Sequence, residues 1–339
     1  MTADPKHDRA TEASSEDRLL ARIRRSLSVS RKKSSSLRLA IGDDAALLRP
    51  RRGGETVLTC DWFLQGTHFL LDRHPPDSVG WKCLARAASD LAAMGAEPRC
   101  FLLSMALPAQ ATGSWLSEFL RGLQAASRKL ECPAAGGDTT RHEKVLINVT
   151  VIGECRRGNA VLRNGAKPGD AVFVSGRLGE AEYGLRLIRS GRGRINARDA
   201  RLRKHLYPQP RLAIGSWLAQ QRLATAMMDL SDGLSADLPR LCEASGVGAR
   251  VEAKRIPTVK LSSLDAKKHD ALDLALHGGD DYELIFTVDR EDIRRIPRSI
   301  AGTPLILIGE VLNDKRICLA NKDGAEAPLA RKGWDPFRN

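Results

Sequence analysis

The chain has 339 residues, enough for two ordinary domains, and its hydrophobic content of 42% can supply their cores. Its 54 basic and 41 acidic residues give a formal net charge of +13, yet only 4% of residues are aromatic and the basic segments lack interleaved stacking side chains, which argues against nucleic acid as a partner. The sequence has no run of 18 apolar residues and no signal-like start, and its seven cysteines form no CxxC. We therefore expect a cytoplasmic protein with reduced thiols and no membrane partner.

Predicted helices and strands alternate along the chain. Residues 1–15 are predicted to be a disordered polar tail, residues 16–27 a helix with one apolar face, and residues 31–36 a polar linker. The other predicted helices are 79–94, 115–130, 180–189, 210–220 and 235–244, and the predicted strands are 57–60, 101–107, 145–152, 171–175, 225–228, 283–288 and 305–308. This alternation predicts a two-domain α/β (α+β) fold, divided around residues 154–168 into an N-terminal domain, 16–154, and a C-terminal domain, 155–339.

Short acidic motifs at the ends of apolar runs carry the chemical signal. They are IGDDAA at 41–46, Asp61 after the strand 57–60, Ser89-Asp90 within a predicted helix, GGDTT at 136–140 before a strand, DLSDG at 229–233 and HGGDDY at 277–282. Several carboxylates beside glycine turns suit Mg²⁺, which prefers oxygen ligands and bridges them to substrate phosphates. Each motif alone is compatible with an ordinary capped turn, but six in one chain indicate a metal–polyphosphate site.

The usual nucleotide-binding signatures are missing from the sequence. It contains no Walker A motif, no GxGxxG after a strand and no protein-kinase HRD/DFG set. It also lacks a GxSxG elbow, and Ser231 stands between two acids, which disfavours a serine nucleophile. If the chain uses ATP, it must do so with another fold.

The motif series as a whole resembles the thiamine-monophosphate kinase family. The matching segments are IGDDAAL, TCDWFLQGTHF, SDLAAMGAEP, GGDTTR, KPGD, DLSDGLSADL, GGDDYEL and the terminal KGWDPF, and the resemblance runs from about residue 16 to residue 337. That family belongs to the superfamily of aminoimidazole ribonucleotide synthetase and selenophosphate synthetase. The resemblance implies an N-terminal ATP-binding domain and a C-terminal domain of the aminoimidazole ribonucleotide synthetase-like type. It also implies a homodimer formed by the N-terminal domains, with ATP near the subunit interface.

The activity implied by the resemblance is the ATP-dependent phosphorylation of thiamine monophosphate to thiamine diphosphate, the last step in making that cofactor. It implies Mg²⁺ as the metal and leaves a requirement for K⁺ open. The implied metal positions are Asp44, Thr59, Cys60, Asp61, Asp90, Asp138, Asp229 and Asp232. The implied ATP contacts are Asp44, Gly137, Asp138, Arg163 and Ser231, and the implied thiamine monophosphate contacts are His68, Asp280 and Trp334.

Three positions depart from the family pattern. Cys60 stands where a serine or threonine is usual, so only a backbone carbonyl could serve there, Asp280 is one methylene shorter than the usual glutamate, and Ala87 replaces a common asparagine. The acceptor phosphate is already anionic, so we expect direct in-line transfer by positioning and charge neutralisation, with no general base and no phosphoenzyme.

Alternatives from the same superfamily lack their expected signatures. A selenophosphate synthetase would carry a reactive cysteine early in the chain, whereas the first 59 residues contain none. The sequence also has no GVGTK-like loop of an aminoimidazole ribonucleotide synthetase, and it ends in Phe337-Arg338-Asn339, without the terminal cysteine of a carbamoyl-dehydratase maturation factor. A non-catalytic nucleotide-binding or nucleic-acid-binding protein, suggested by Cys60, Asp280 and the charge of +13, stays open.

Overall fold

The computed structural model of the chain describes residues 15–27, 36–41, 45–191, 195–321 and 323–337. The predicted tail and linker lie outside these residues except at Ser15 and Ser36, and so does the predicted ligand Asp44. The described α-helices are α1 Ser15–Leu27, α2 Pro76–Ala93, α3 Ser114–Lys129, α4 Glu180–Ser190, α5 Arg203–Leu206, α6 Leu212–Gln221, α7 Leu234–Ser245 and α8 Ala271–His277. Short 3₁₀ helices occur at Ala109–Ala111, Ala200–Leu202, Asp265–Lys267 and Arg290–Arg295.

The strands form three sheets within the described part of the chain. They are β1 Leu37–Leu39, β2 Leu47–Leu48, β3 Gly54–Leu64, β4 Glu97–Leu107, β5 Ala134–Arg141, β6 Leu146–Arg156, β7 Ala171–Ser175, β8 Ala224–Leu230, β9 Gly248–Glu252, β10 Glu283–Val288, β11 Ser299–Ile300, β12 Thr303–Leu312, β13 Ile317–Ala320 and β14 Glu326–Pro328. The N-terminal sheet has the order β3-β6-β4-β5, the C-terminal sheet has the order β14-β13-β9-β12-β7-β10-β8 with β11 beside β12, and β1 pairs with β2.

The N-terminal sheet has one covered and one open face. Its inner face packs against α2 and α3 around a core that includes Phe63, Leu91 and Phe119. The two helices approach closely, because a Cβ on Gly80 would lie 2.0 Å from the carbonyl oxygen of Phe119. On the outer face, large apolar side chains are exposed, as side chains alternate between the two faces of a strand.

A second apolar core and a shared interface organise the C-terminal half. The core of the C-terminal sheet includes Leu238 of α7 and Ile285 of β10. Helix α6 lies against α2 of the N-terminal half, and a Cβ on Gly215 would lie 1.9 Å from the carbonyl oxygen of Ala92. Trp81 Nε1 also donates a hydrogen bond of 2.8 Å to a carbonyl oxygen of the C-terminal half, that of Pro208. This tight contact fixes how the two halves face each other.

The predicted two-domain α/β fold is confirmed, while the exact division between residues 154 and 155 stays a prediction. One local prediction was wrong: Asp61 does not end a strand, because β3 continues to Leu64. GGDTT precedes β6, as predicted, but it also lies within β5, a strand that was not predicted. Polar residues hid both of these strand segments, because only one face of each strand is buried. In the described residues, no helix is both long and apolar enough to cross a membrane.

Candidate active site

A cleft of about 630 Å³ lies between the two halves of the molecule. The N-terminal half contributes β3, the loop after it and one face of α2, while the C-terminal half contributes α4, the end of β8, the loop before β10 and the C-terminal segment. The predicted site residues that line it are His68, Asp61, Asp90, Asp229, Ser231, Asp232, Asp280 and Trp334. The fold therefore brings together motifs that are separated by more than half of the sequence.

Acidic side chains from both halves meet at the inner end of this cleft. Thr59 Oγ1 donates a hydrogen bond to Asp90 Oδ2, and both Nε and Nη2 of Arg86 contact the Asp61 carboxylate at 3.4 Å. Burial raises the pKa of Asp90, and the nearby charge of Asp61 adds to this effect. Burial, and next the charge of Asp90, raise the pKa of Asp229 well above its usual range. Such a cluster is unfavourable when ionised unless a cation joins it.

The DLSDG motif shapes the C-terminal rim of the acidic cluster. Asp229 is the buried penultimate residue of β8, and Asp232 forms an ion pair of 2.5 Å with Arg240. The backbone N–H of Asp232 donates to Asp237, whose pKa is raised to about 7 by burial and by the charge of Asp232. Gly233, with a φ of 100°, turns the chain directly into α7. Asp232 is therefore held in place by α7 and faces the cleft.

The three predicted substrate contacts, His68, Asp280 and Trp334, all line the cleft. Burial, with help from the charge of Arg86, lowers the pKa of His68 to about 4, and its Nδ1 accepts a hydrogen bond of 2.9 Å from Leu64 N. The imidazole is therefore neutral near pH 7 and carries its proton on Nε2. Asp280 accepts hydrogen bonds from Lys82 at 2.8 Å and Tyr282 at 2.6 Å.

Not all predicted residues meet in the same cleft. Gly137 and Asp138 line a second cavity of about 1180 Å³ between the N-terminal sheet, α1 and the β1–β2 pair. Arg163 does not line the cleft, but its positive charge lowers the pKa of Asp90 against the effect of burial. Cys60 points to the outer face of β3, opposite Thr59 and Asp61, and contacts Asn148. Its thiol therefore cannot join their group.

Gly137 occupies a position that only glycine can fill. It has a φ of 154°, and a Cβ there would lie 1.8 Å from the carbonyl oxygen of Leu103 on the paired strand β4. Asp138, the next residue, is exposed, and its Oδ1 accepts a hydrogen bond of 2.8 Å from Thr139 N. The close pairing of β5 with β4 leaves the carboxylate free to face a ligand.

Sequence reasoning missed the basic side chains of the cleft. Arg86 lines it from α2, Arg186 and Arg189 line it from α4, and Lys332 lines it from the C-terminal segment. Lys82, Arg86 and Asp90 recur every four residues and therefore share one face of α2. This spacing was a readable signal, because three charges on one face of an otherwise apolar helix must meet polar partners.

The oxygen donors of the acidic cluster are of the type that Mg²⁺ prefers, although they do not form a complete coordination shell by themselves. Asp61, Asp90 and Asp229 offer only oxygen ligands, and burial together with the charge of a neighbouring carboxylate raises the pKa values of Asp90 and Asp229, so a bound cation would stabilise their ionised forms. Among the described residues, no three His, Cys, Asp or Glu side chains already surround a single point as metal ligands do. The residues therefore fit a hydrated ion that is completed by water and phosphate oxygens.

Comparisons with known proteins match both halves of the chain. The family models AIR synthase related protein, N-terminal domain, and AIR synthase related protein, C-terminal domain, match residues 42–155 and 167–319. Thiamine-monophosphate kinase of Escherichia coli K12 is 36% identical over 305 residues, covering 88% of this chain and 92% of that protein.

Two solved structures are similar over nearly the whole chain. The thiamine-monophosphate kinase from Stenotrophomonas maltophilia K279a has a TM-score of 0.77 and 35% identity, covering 92% of this chain and 96% of that one. AaThiL, solved in complex with AMPPCP and TMP, has a TM-score of 0.74 and 31% identity, covering 99% of this chain and 100% of that one. The similarity therefore includes both walls of the cleft.

Proposed function

Because the chain belongs to the thiamine-monophosphate kinase family, we propose that it uses ATP to phosphorylate thiamine monophosphate to thiamine diphosphate in the cleft between its domains. The family relationship covers 92% of the Escherichia coli relative and both halves of the fold. A relative solved with AMPPCP and TMP shares this fold over its whole length, which supports ATP as the co-substrate.

The observation that carries this proposal is the meeting of opposite charges in one cleft. Asp90 and Asp229 form an acidic centre, while Arg186, Arg189 and Lys332 line the same cleft with positive charge. Thiamine monophosphate combines a phosphate with a cationic ring, and this cleft offers basic side chains to the first and Asp280 and Trp334 to the second. A substrate with no charge, or with charge of only one sign, would not need both the acidic and the basic side chains of the cleft.

We assign the proposed Mg²⁺ positions to oxygen donors of the acidic motifs, of which Asp61, Asp90, Asp229 and Asp232 line the cleft, Asp138 lines the second cavity and Asp44 lies outside the described residues. They are the side chains of Asp44, Thr59, Asp61, Asp90, Asp138, Asp229 and Asp232 and the backbone carbonyl of Cys60. Bound Mg²⁺ would neutralise the phosphate oxygens between which the phosphoryl group passes. A requirement for K⁺ can be tested in the same assay by exchanging potassium for sodium salts.

The protein's own groups act by positioning. ATP is assigned to Asp44, Gly137, Asp138, Arg163 and Ser231, of which Arg163 carries the positive charge that offsets the nucleotide phosphates. The acceptor phosphate needs no deprotonation near pH 7, so no residue is assigned as a general base. Direct in-line transfer follows, because the chain needs only to align two anions and to neutralise their repulsion.

We also propose a homodimer formed through the outer face of the N-terminal sheet. Leu58, Trp62 and Leu102 expose 67%, 56% and 36% of their surface on this face. Several large exposed apolar side chains on one face of a sheet are typical of a protein–protein contact. The cavity that holds Gly137 and Asp138 lies beside the same sheet, so a partner subunit would stand near the proposed ATP position. The cytoplasmic location stays a prediction of the sequence.

The test is direct assay of thiamine diphosphate by chromatography after incubation with ATP, Mg²⁺ and thiamine monophosphate. We expect product that requires Mg²⁺ and that is lost in Asp232→Asn. The matched control is Asp314→Asn, which removes a carboxylate from a surface ion pair with Arg316 far from the cleft residues. ATP hydrolysis without thiamine diphosphate would point to another acceptor, and binding that weakens steeply with salt on nucleic acid would favour the non-catalytic alternative.

A further inference from the structure

A largely buried polar cluster joins the two domains at the wall of the cleft. It consists of His74 and Lys82 from the N-terminal half and His205, Asp280 and Tyr282 from the C-terminal half. Lys82 is only 1% exposed, and its Nζ lies 2.8 Å from Asp280 Oδ2 and 3.3 Å from His205 Nδ1. The two imidazoles contact each other through their Nε2 atoms at 3.1 Å.

Charge in this cluster is concentrated on one pair of residues. Burial lowers the pKa of His74 to about 4 and that of His205 well below its usual range, and the charge of Lys82 lowers both further. Both rings are therefore neutral near pH 7. Burial opposes ionisation of Asp280, but its positive neighbours, led by Lys82 and including Arg86, together with the hydrogen bond from Lys82, hold the pKa of this carboxyl well below its usual range. An ammonium removed from water is stable only beside such a carboxylate.

The Asp280 carboxylate is fixed at both oxygens and still reaches the cleft. Lys82 Nζ binds Oδ2, and the Tyr282 hydroxyl donates to Oδ1 at 2.6 Å. The backbone is also constrained, because Asp280 and Tyr282 have φ values of 66° and 49°, in the left-handed region that few residues other than glycine adopt. Asp280 N donates to the Ser231 carbonyl oxygen at 2.8 Å, which ties the loop to the DLSDG motif.

We propose that Lys82 is a positioning residue for thiamine monophosphate, acting from the opposite domain through Asp280. This inference rests on the proposed function, in which Asp280 faces the substrate. A carboxylate has about four acceptor directions, and Lys82 and Tyr282 occupy one on each oxygen, which leaves the others for a ligand in the cleft. Lys82 thus stabilises the negative charge of the Asp280 carboxylate and fixes the orientation in which this carboxylate meets the substrate. Because Lys82 and Asp280 belong to different domains, the contact between Asp280 and the substrate also depends on how the two domains are aligned.

The test compares steady-state kinetics of the wild type, Lys82→Met, Asp280→Asn and the double variant. Methionine keeps a similar unbranched length but removes the charge. We expect Lys82→Met to raise KM for thiamine monophosphate by about tenfold or more, with KM for ATP changed by less than about twofold. In the Asp280→Asn background, the same substitution should add less than about twofold, because its effect passes through the missing carboxylate.

A matched control separates positioning from stability. Lys204 also pairs with a fully buried carboxylate, that of Glu283, but does not line the cleft. Lys204→Met should lower thermal stability and leave KM for thiamine monophosphate unchanged. If Lys82→Met does not fold, Tyr282→Phe removes only the second hydrogen bond to Asp280, and it should raise the same KM by about two- to tenfold.

The kinetic results of these variants either support or overturn the proposed positioning role of Lys82. An unchanged KM for thiamine monophosphate in a folded Lys82 or Tyr282 variant overturns the inference. The inference is also overturned if the fold-changes in KM for thiamine monophosphate caused by Lys82→Met and Asp280→Asn multiply fully in the double variant. An equally large rise in KM for ATP in Lys82→Met overturns it as well. A wild type that makes no thiamine diphosphate overturns the proposed function and this inference with it, whereas an active wild type with any of the preceding outcomes overturns the inference alone.

Discussion

The backbone N–H of Trp334 donates a hydrogen bond of 2.9 Å to the carbonyl oxygen of Asp232. Gly333 makes this contact possible, because a Cβ there would lie 2.4 Å from the same oxygen and 2.6 Å from Ala236 Cβ. The C-terminal segment is thereby fastened to the DLSDG motif, and Trp334 lines the cleft with 43% of its surface exposed. Because the indole is half exposed and lines the cleft, its ring is available for contact with a bound ligand rather than for packing in the core.

Trp334→Ala should therefore impair substrate binding without unfolding the protein. We expect KM for thiamine monophosphate to rise by about two- to tenfold, because stacking of an aromatic ring contributes about 0.5–1.5 kcal/mol. The melting temperature should change little, since the side chain is not buried. Phe337→Ala is the control, because Phe337 is 91% exposed three residues further on. Equal kinetics for Trp334→Ala and the wild type would exclude the indole from the substrate site.

The fold was largely predictable because its signals are local. Apolar periodicity alone predicts the helix that the structure places at Trp115–Lys129 within α3, and the apolar run 171–175 predicts β7. The cleft was predictable only through its motifs. The contact of Lys82 with Asp280 spans 198 positions, and no local pattern specifies which helix face will meet a loop of the other domain. Strands β9, β13 and β14, of five, four and three residues, were missed.

Asp229→Asn should stabilise the protein in the absence of Mg²⁺ while abolishing its activity. Burial and the charge of Asp90 raise the pKa of Asp229, so its ionised form opposes folding, and asparagine removes that charge with little change in volume. We expect a higher melting temperature in chelator, on the order of a few degrees. Transfer should fall by about 100-fold or more, because a charged ligand is lost from the reacting centre.

Thermal unfolding with and without Mg²⁺ checks the same variant further. The wild type should gain stability as Mg²⁺ is added, because an ion that binds only the folded state shifts the equilibrium. Asp229→Asn should respond less, and Asp314→Asn should respond as the wild type does. An Asp229→Asn protein that melts below the wild type in chelator would show that the carboxylate supports the fold instead.

Asp281 should make stability depend on pH in a defined window. Its carboxylate accepts hydrogen bonds from Gly179 N at 2.6 Å and Ala181 N at 3.1 Å at the start of α4, but burial raises its pKa to about 7. An unfolded aspartate has a pKa of about 4, so the folded state holds the proton more tightly. Stability relative to Asp281→Asn should therefore fall as pH rises from about 4 to about 7 and then level off.

Urea unfolding of the wild type and Asp281→Asn across this range measures that difference. One proton limits the slope to about 1.4 kcal/mol per pH unit. Because both proteins share every other titrating group, subtraction isolates the contribution of Asp281. A difference that is constant, or that grows in favour of the wild type as pH rises, would mean that the two N–H donors of α4 outweigh burial.

Leu58→Arg should dissociate the proposed homodimer. Leu58 is 67% exposed in the middle of β3, on the same outer face as Trp62, so a guanidinium there would be buried without a partner in a symmetric contact. Light scattering should show the mass of one chain instead of two, with the fold intact. Leu264→Arg is the matched control, because Leu264 is 64% exposed in the C-terminal half. If both variants and the wild type have the mass of a single chain, the apolar face is not a subunit interface.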